Sequence, residues 1–123
     1  MQVDHKGDRE MVATLRQQGV RGPWLQLLSA ILELAGGEAE FLRHSERPWN
    51  SATFSGTRHV IGLRFTGEKA IAAGENFIAA LPEHEFSIPR QLVADAAIAA
   101  VDHEIGPAPV MTLQAELLLL EES

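Results

Sequence analysis

Between Trp24 and Ala35 the chain is apolar except along one narrow stripe. The polar positions follow helical spacing and fall on one side of an α-helix: Gln26, Ser29 and Glu33. Pro23 suits the first position of a helix, and Gly36 suits the residue that follows its end. The pattern therefore predicts a helix that is buried over most of its circumference.

Two more segments have helical character. One helix is predicted to start at Thr66–Glu68 and to run through Leu81, because Pro82 cannot continue it. Small residues along its apolar side would allow it to lie close to a sheet. A shorter helix is predicted over Asp8–Gln18, with Asp8 as a plausible cap.

Strand patterns follow each of the two longer helices. The first pair is predicted as Glu38–Glu46 and Ser51–Phe65, joined by the four residues Arg47–Asn50. The second pair is predicted as Gln91–Asp102 and Val110–Glu121. Alanine favours helices, so the alanine-rich third strand has a helical alternative. We favour a strand because Pro and Gly frame two adjacent runs of similar length, as in a hairpin.

The apolar positions of the second strand change phase along its length. Ala52 and Phe54 have even numbers, whereas Ile61 and Leu63 have odd numbers. A strand with a period of two residues buries both sets on one face only if a residue is inserted between them. Because glycine often occupies such an insertion, a bulge or sharp bend is predicted at Gly56–Thr57.

The order of elements predicts the fold class. After the short first helix the chain reads helix, strand, strand, and then helix, strand, strand again. Two such units can form a two-layer α+β sandwich, in which a four-stranded antiparallel sheet carries both main helices on one face. This order is a circular permutation of the ferredoxin-like topology, an analogy that implies no activity. We expect one domain over residues 1–123, with 1–20 as an N-terminal segment.

Such a sheet leaves its second face uncovered, and the predicted strands make that face apolar. The third strand would turn Leu92, Ala94, Ala96 and Ile98 to the core, and the fourth would turn Leu113, Ala115, Leu117 and Leu119. The open face would then carry Val93, Ala97, Ala99, Val101, Leu118 and Leu120 around Asp95. Monomers rarely expose a contiguous patch of this kind. We therefore expect a homo-oligomer, most simply a dimer through the open face; the alternative is a monomer in which Asp8–Gln18 covers the patch.

Composition removes several classes of function. The chain has 123 residues, no cysteine and a net charge of −7. The absence of cysteine excludes disulfides, thiolate metal sites and a cysteine nucleophile. The acidic balance argues against nucleic acid or an anionic membrane as the main partner. The polar N-terminus and the absence of a long apolar run lead us to expect a cytoplasmic protein.

Basic residues are concentrated in the predicted hairpin. The range Phe41–Thr66 holds four arginines and one glutamate, a local charge of +3. Arg58, Arg64 and His44 are predicted to share the open face, where guanidinium groups can hold a carboxylate or phosphate through paired hydrogen bonds. The alternative is that these arginines form ion pairs with acidic residues of the same chain or of a partner.

His59 and Asp95 are the candidates for acid–base chemistry. A carboxylate on an apolar surface has its pKa raised by desolvation unless it is paired, and such groups sometimes act as bases. Two other histidines lie in Glu83–Glu85 and Asp102–Glu104, each between two acidic residues. Neither has a second histidine at a usual ligand spacing, so we expect no metal and no cofactor.

The sequence thus favours a small soluble protein that self-associates and works by binding, with no catalytic machinery of its own. The alternative is an anion-binding protein or small enzyme, with a pocket on the open sheet face. In that alternative Arg58 and Arg64 would hold an anionic small molecule, and His59 or Asp95 would transfer protons.

Overall fold

The computed structural model describes residues 23–122. Two helices and one short 3₁₀ turn accompany four strands in this part of the chain. In chain order they are α1 (Pro23–Leu34), β1 (Glu40–Asn50), β2 (Ser55–Thr66), α2 (Glu68–Ala80), the turn Leu81–Glu83, β3 (Gln91–Glu104) and β4 (Val110–Glu121). The helix expected over Asp8–Gln18 lies outside the described residues.

Helix α1 begins at the predicted Pro23, ends one residue before the predicted end, and has the predicted orientation. The polar residues Gln26, Ser29 and Glu33 are exposed. The apolar residues of the helix lie in the core, and Leu27, Leu28 and Ile31 are completely buried. The helix ends where Gly36 and Gly37 adopt positive φ angles of 71° and 73°, a conformation that glycine reaches without steric cost.

The first hairpin differs from its prediction in the position of the turn. The strands are joined by residues 51–54, and the Ser51 backbone N–H donates to the Phe54 carbonyl oxygen at 2.8 Å. The expected bulge at Gly56–Thr57 is wrong, since pairing is regular there and the register shifts in β1, between Phe41 and Arg43. The apparent change of phase has a simple cause, because Ala52 and Phe54 belong to the turn and never share a face with the strand.

The four strands form one antiparallel sheet in the order β1-β2-β4-β3. Both helices pack on one face of it. On α1, Trp24 stacks on a side chain of β1, and on α2 Gly74 lies against Phe65 of β2 and Met111 of β4. This arrangement confirms the predicted two-layer α+β sandwich with an antiparallel sheet. The relation to a permuted ferredoxin-like topology stays a prediction.

The core lies between the helices and the inner face of the sheet. Strand β4 buries the predicted set, and Leu113, Ala115, Leu117 and Leu119 are at most 2% exposed. They are paired across the ladder with Leu63, Ile61, His59 and Thr57 of β2. Residues paired directly across an antiparallel ladder point to the same face, so β2 and β4 present their odd-numbered residues to the helices.

Strand β3 corrects the prediction for its inner face. Register shifts occur between Val93 and Asp95 and between Ile98 and Ala100. Each extra residue exchanges the faces of the residues beyond it. Val93 therefore packs on the core, whereas Leu92 pairs with Leu120 and is 51% exposed. The open side of β3 consists of Leu92, Asp95, Ala97, Ala100, Asp102 and Glu104.

In residues 23–122, neither helix has the length and hydropathy that crossing a membrane requires.

Candidate functional site

Two histidines and a glutamate meet near the middle of the first hairpin, beside α1. His44 and Glu46 are two residues apart on β1, so the period of a strand places both on one face. Glu46 is paired with His59 of β2, and His59 is paired with the core residue Leu117. The hairpin register therefore brings all three side chains to the side of the sheet that carries the helices.

The ligand atoms of these three residues are close together. His44 Nε2 and His59 Nδ1 share a hydrogen bond of 2.9 Å. Glu46 Oε2 lies 3.5 Å from His59 Nδ1 and 3.9 Å from His44 Nε2. In the described part of the chain, this group is a set of three residues whose geometry is compatible with holding a metal ion.

Trp24 of α1 fixes the orientation of His44. The two rings are stacked with centroids 3.5 Å apart and planes 6° apart. The plane of His59 lies 13° from that of Trp24, at a centroid distance of 5.9 Å. The side chain of His59 is 4% exposed and that of His44 is 16% exposed, whereas Glu46 is 52% exposed and opens the cluster to solvent.

Burial keeps both histidines neutral. Desolvation lowers the pKa of His44 below its ordinary value, and the Glu46 carboxylate only partly opposes this. The pKa of His59 is lowered by desolvation and also by His44, again against the effect of Glu46. Near neutral pH the pair therefore offers nitrogen lone pairs, one of which accepts the hydrogen bond between the rings.

Sequence reasoning identified two of these residues and missed the cluster. It considered His59 as an acid–base group and His44 as an anion ligand, and it expected no metal. It did not single out Glu46 or Trp24. The available signal was the spacing His44-x-Glu46 within a strand, but its meaning depends on the hairpin register that places His59 opposite Glu46.

The predicted anion site divides between the two faces of the sheet. Arg58 and Arg64 lie on the open face, paired with Leu118 and Thr112. His44 was expected beside them, but it pairs with the core residue Ile61 and faces the helices. His59 likewise lies on the inner face, opposite to Asp95, which pairs with Leu118 on the open side. The five predicted residues therefore do not line one pocket.

Polar contacts on the open face involve two of the arginines. Arg64 donates two hydrogen bonds to Glu40, at 2.6 and 3.2 Å. This ion pair raises the pKa of Arg64 through the hydrogen bonds and the charge of Glu40. Arg43 reaches across Gly62 and donates to the side-chain oxygen of Gln114 at 3.2 Å. Arg64 thus forms an ion pair with an acidic residue of the same chain, which was the predicted alternative to binding an anion.

The open face separates charges of opposite sign. Its β1 and β2 side carries Glu40, Arg43, Arg47, Arg58 and Arg64, a net charge of +3. Its β3 and β4 side carries Asp95, Asp102, Glu104 and Glu116, a net charge of −4. Between them, Val60 and Leu118 form an apolar centre on the middle strands.

The two other histidines of the described chain lie away from both regions. His84 and His103 are exposed, and His84 makes an edge contact with Phe86 at a centroid distance of 4.6 Å. Neither belongs to a metal-compatible group among the described residues.

Comparison with known proteins gives a likeness of fold. No family model and no curated protein matches the sequence. Among solved structures, the chain is similar to a chain in a structure described as "Virion of native gene transfer agent (GTA) particle". The likeness covers 80% of this chain and 92% of that chain, with a TM-score of 0.55 and 12% sequence identity. At that identity the likeness concerns the fold alone.

Proposed function

We propose that this protein is an interaction protein that associates with a second copy of itself through the open face of its sheet. The proposal depends on one observation, the division of that face into a half of charge +3 and a half of charge −4. A surface of this kind is complementary to itself in one orientation and repels itself in another.

The favourable orientation follows from the strand order. When a two-fold axis lies between two facing sheets and parallel to the strands, β1 of one copy lies over β3 of the other. Each positive half then faces a negative half, and the same patch serves both copies, as two-fold symmetry requires. An axis perpendicular to the strands would place like charges over each other. Complementary potentials of this kind set the register and the partner more than the affinity.

Apolar area supplies the remaining attraction. Leu118 at the centre of the face is only 7% exposed and has little area left to cover, whereas Val60 beside it is half-buried and Leu92, near the start of β3, is 51% exposed. Covering apolar surface contributes about 25 cal/mol per Å². A polar rim around an apolar centre is the usual anatomy of protein interfaces.

The similar solved chain supports a role for this fold in the assembly of protein subunits. It comes from a gene transfer agent virion particle. We propose that the present chain likewise acts as a subunit that contacts other protein subunits, and that no catalytic step is part of its role.

Two complementary double variants test the proposal. Arg43→Glu with Arg47→Glu changes the charge of the positive half from +3 to −1, so both halves become negative. Asp95→Lys with Asp102→Lys changes the charge of the negative half from −4 to 0, so no negative half remains to attract the positive one. We expect the wild type to show about twice the chain mass of 13.4 kDa by light scattering at micromolar concentration. Each double variant alone should be monomeric, and an equimolar mixture should recover the mass of the dimer.

The mixture is the informative sample, because its recovery shows that both variants remain folded and that opposite charges meet across the contact. A matched control changes charges away from the face, at Glu83 and Glu85 to Lys, and should leave the dimer unchanged. A monomeric wild type contradicts the proposal, and so does a mixture of folded variants that stays monomeric.

A further inference from the structure

We propose that His44, Glu46 and His59 form a binding site for a divalent transition metal of the zinc class. The three side chains supply two imidazole nitrogens and one carboxylate oxygen, a donor set that zinc takes in proteins. This site is separate from the open face, since it lies on the helix-covered side of the sheet.

The spacing of the three atoms fits one shared ion. Their separations are 2.9, 3.5 and 3.9 Å. The point equidistant from all three lies about 2.0 Å from each, and zinc bonds to histidine nitrogen and carboxylate oxygen are about 2.0–2.2 Å long. In a tetrahedral arrangement at this bond length the ligand atoms lie about 3.3 Å apart. Small side-chain movements that separate the two histidine nitrogens and bring Glu46 nearer to His44 would give that arrangement, with water in the fourth position.

The position of Glu46 favours a shared ion over a network of hydrogen bonds. One hydrogen bond joins the two histidines, but the carboxylate oxygen is 3.9 Å from His44 and at the outer limit of bonding, 3.5 Å, from His59. A carboxylate directed at two neutral imidazoles gains little at these distances. A cation between the three atoms would satisfy all of them together.

The surroundings prepare the site for a metal. Trp24 holds the His44 ring by stacking, and the fold buries His59, so neither ligand has to lose much freedom when the ion binds. Both imidazoles are kept neutral by burial, which is the state that binds a metal. Glu46 remains exposed and gives the ion a route from solvent.

Calorimetric titration of the untagged full chain with Zn²⁺ tests the site. We expect one equivalent of zinc to bind and the melting temperature to rise with zinc concentration, because a ligand of the folded state stabilises it. Co²⁺ provides a second probe. Its visible absorption should gain the intensity of a four-coordinate ion, and it should quench Trp24 fluorescence in a Trp49→Phe background, where Trp24 is the sole tryptophan.

Variants assign the ligands. Glu46→Gln should weaken zinc binding by at least about tenfold, since even residues that only orient a ligand cost about 10–100-fold when removed. His44→Gln should remove stoichiometric binding. Because Glu46 is exposed, its variant should fold even if a change at the buried His59 does not. The matched control is His103→Gln, an exposed histidine beside Glu104, which should bind as the wild type does.

Two results would overturn the proposal. One is the absence of zinc binding by the folded wild type at zinc concentrations up to about a millimolar. A dissociation constant of that size corresponds to a binding free energy of only about −4 kcal/mol. The other is zinc binding of wild-type affinity in both Glu46→Gln and His44→Gln. Neither result bears on self-association, which is measured separately by mass.

Discussion

The histidine pair shows how the position of a single residue changes its chemistry. His44 and His59 are largely withdrawn from solvent, and desolvation lowers the pKa of each of them. The structural cause is their place beneath α1, where Trp24 covers His44 and the sheet buries His59 at 3% exposure. Protonation of either ring in the folded protein therefore costs desolvation free energy, and this makes the stability of the fold depend on pH.

The first prediction concerns pH and the metal-free protein. The folded pKa of each histidine lies below its unfolded value of about 6.5, so the unfolded chain binds more protons in the range between the two values. The free energy of unfolding should be fully retained above about pH 6.5 and should decrease as the pH falls from there through the folded pKa values. Urea denaturation with a chelator at about pH 7.5 and about pH 5.5 measures the difference.

Two variants show which histidines cause this dependence. His59→Leu removes one buried titrating ring while keeping an apolar residue at the site, and it should reduce the loss of stability between the two pH values. His84→Ala changes an exposed ring and should leave that loss unchanged. A dependence that disappears in the His84 variant and persists in the His59 variant would refute the assignment.

At the scale of elements, α2 lies unusually close to the sheet. A methyl group built on Gly74 would come within 2.9 Å of two atoms of the Phe65 ring, and Phe65 is completely buried. It would also contact the end of Met111, a flexible side chain that can move away. The glycine therefore sets the distance between helix and sheet, which the small residues of this helix had led us to expect.

The second prediction follows from this contact. In an exposed helix, replacing glycine by alanine stabilises by about 1 kcal/mol. Here overpacking costs about 1–3 kcal/mol, which offsets that gain, so Gly74→Ala should produce a net destabilisation of up to about 2 kcal/mol by chemical denaturation. The reverse change on the exposed side of the same helix, Ala72→Gly, involves propensity alone and should cost about 1 kcal/mol. An increase in stability for Gly74→Ala would show that the helix can move away from the sheet at little cost.

The elements themselves were largely predictable from sequence. The predicted bounds of β4, Val110–Glu121, agree with the structure, and α1 ends within a residue of its predicted end. Proline, glycine and the helical period mark these boundaries locally. The turn of the first hairpin was predicted four residues too early, because Pro48 and Asn50 are typical turn residues but lie within β1.

At the scale of the whole molecule, the open face is more polar and more divided than the sequence suggested. The alternation predicted one carboxylate among apolar residues. The two bulges of β3 bring Asp102 to this face beside the expected Asp95 and turn Val93 to the core. Self-association remains our proposal, but its specificity now rests on charge as well as on apolar area. The organisation as one domain over residues 1–123 stays a prediction, because the structure describes 23–122.

The third prediction compares an exposed apolar residue on the open face with one that lies elsewhere. Leu92 is 51% exposed on the open face, and Ile105 is 91% exposed in the turn between β3 and β4. Leu92→Arg should raise the dissociation constant of the dimer by about tenfold or more, because an apolar contact is lost and a charge is brought against the partner. Ile105→Arg should leave it unchanged. Sedimentation analysis over a dilution series compares them, and equal effects at both positions would argue against the open face as the contact.

The sequence by itself determined the order of the elements, the buried side of each helix and the inner face of β4. These features depend on local periods and on residues that stop or start an element, so they are visible in a window of a few residues. The tertiary structure alone decided which side chains meet across the sheet. One unpaired residue in β1 and two in β3 determine on which face of the sheet the following side chains of each strand lie. Hydrogen bonding to the neighbouring strand decides which residues stay unpaired. For that reason Glu46 meets His59, and the charges of the open face separate, only after the strands have paired.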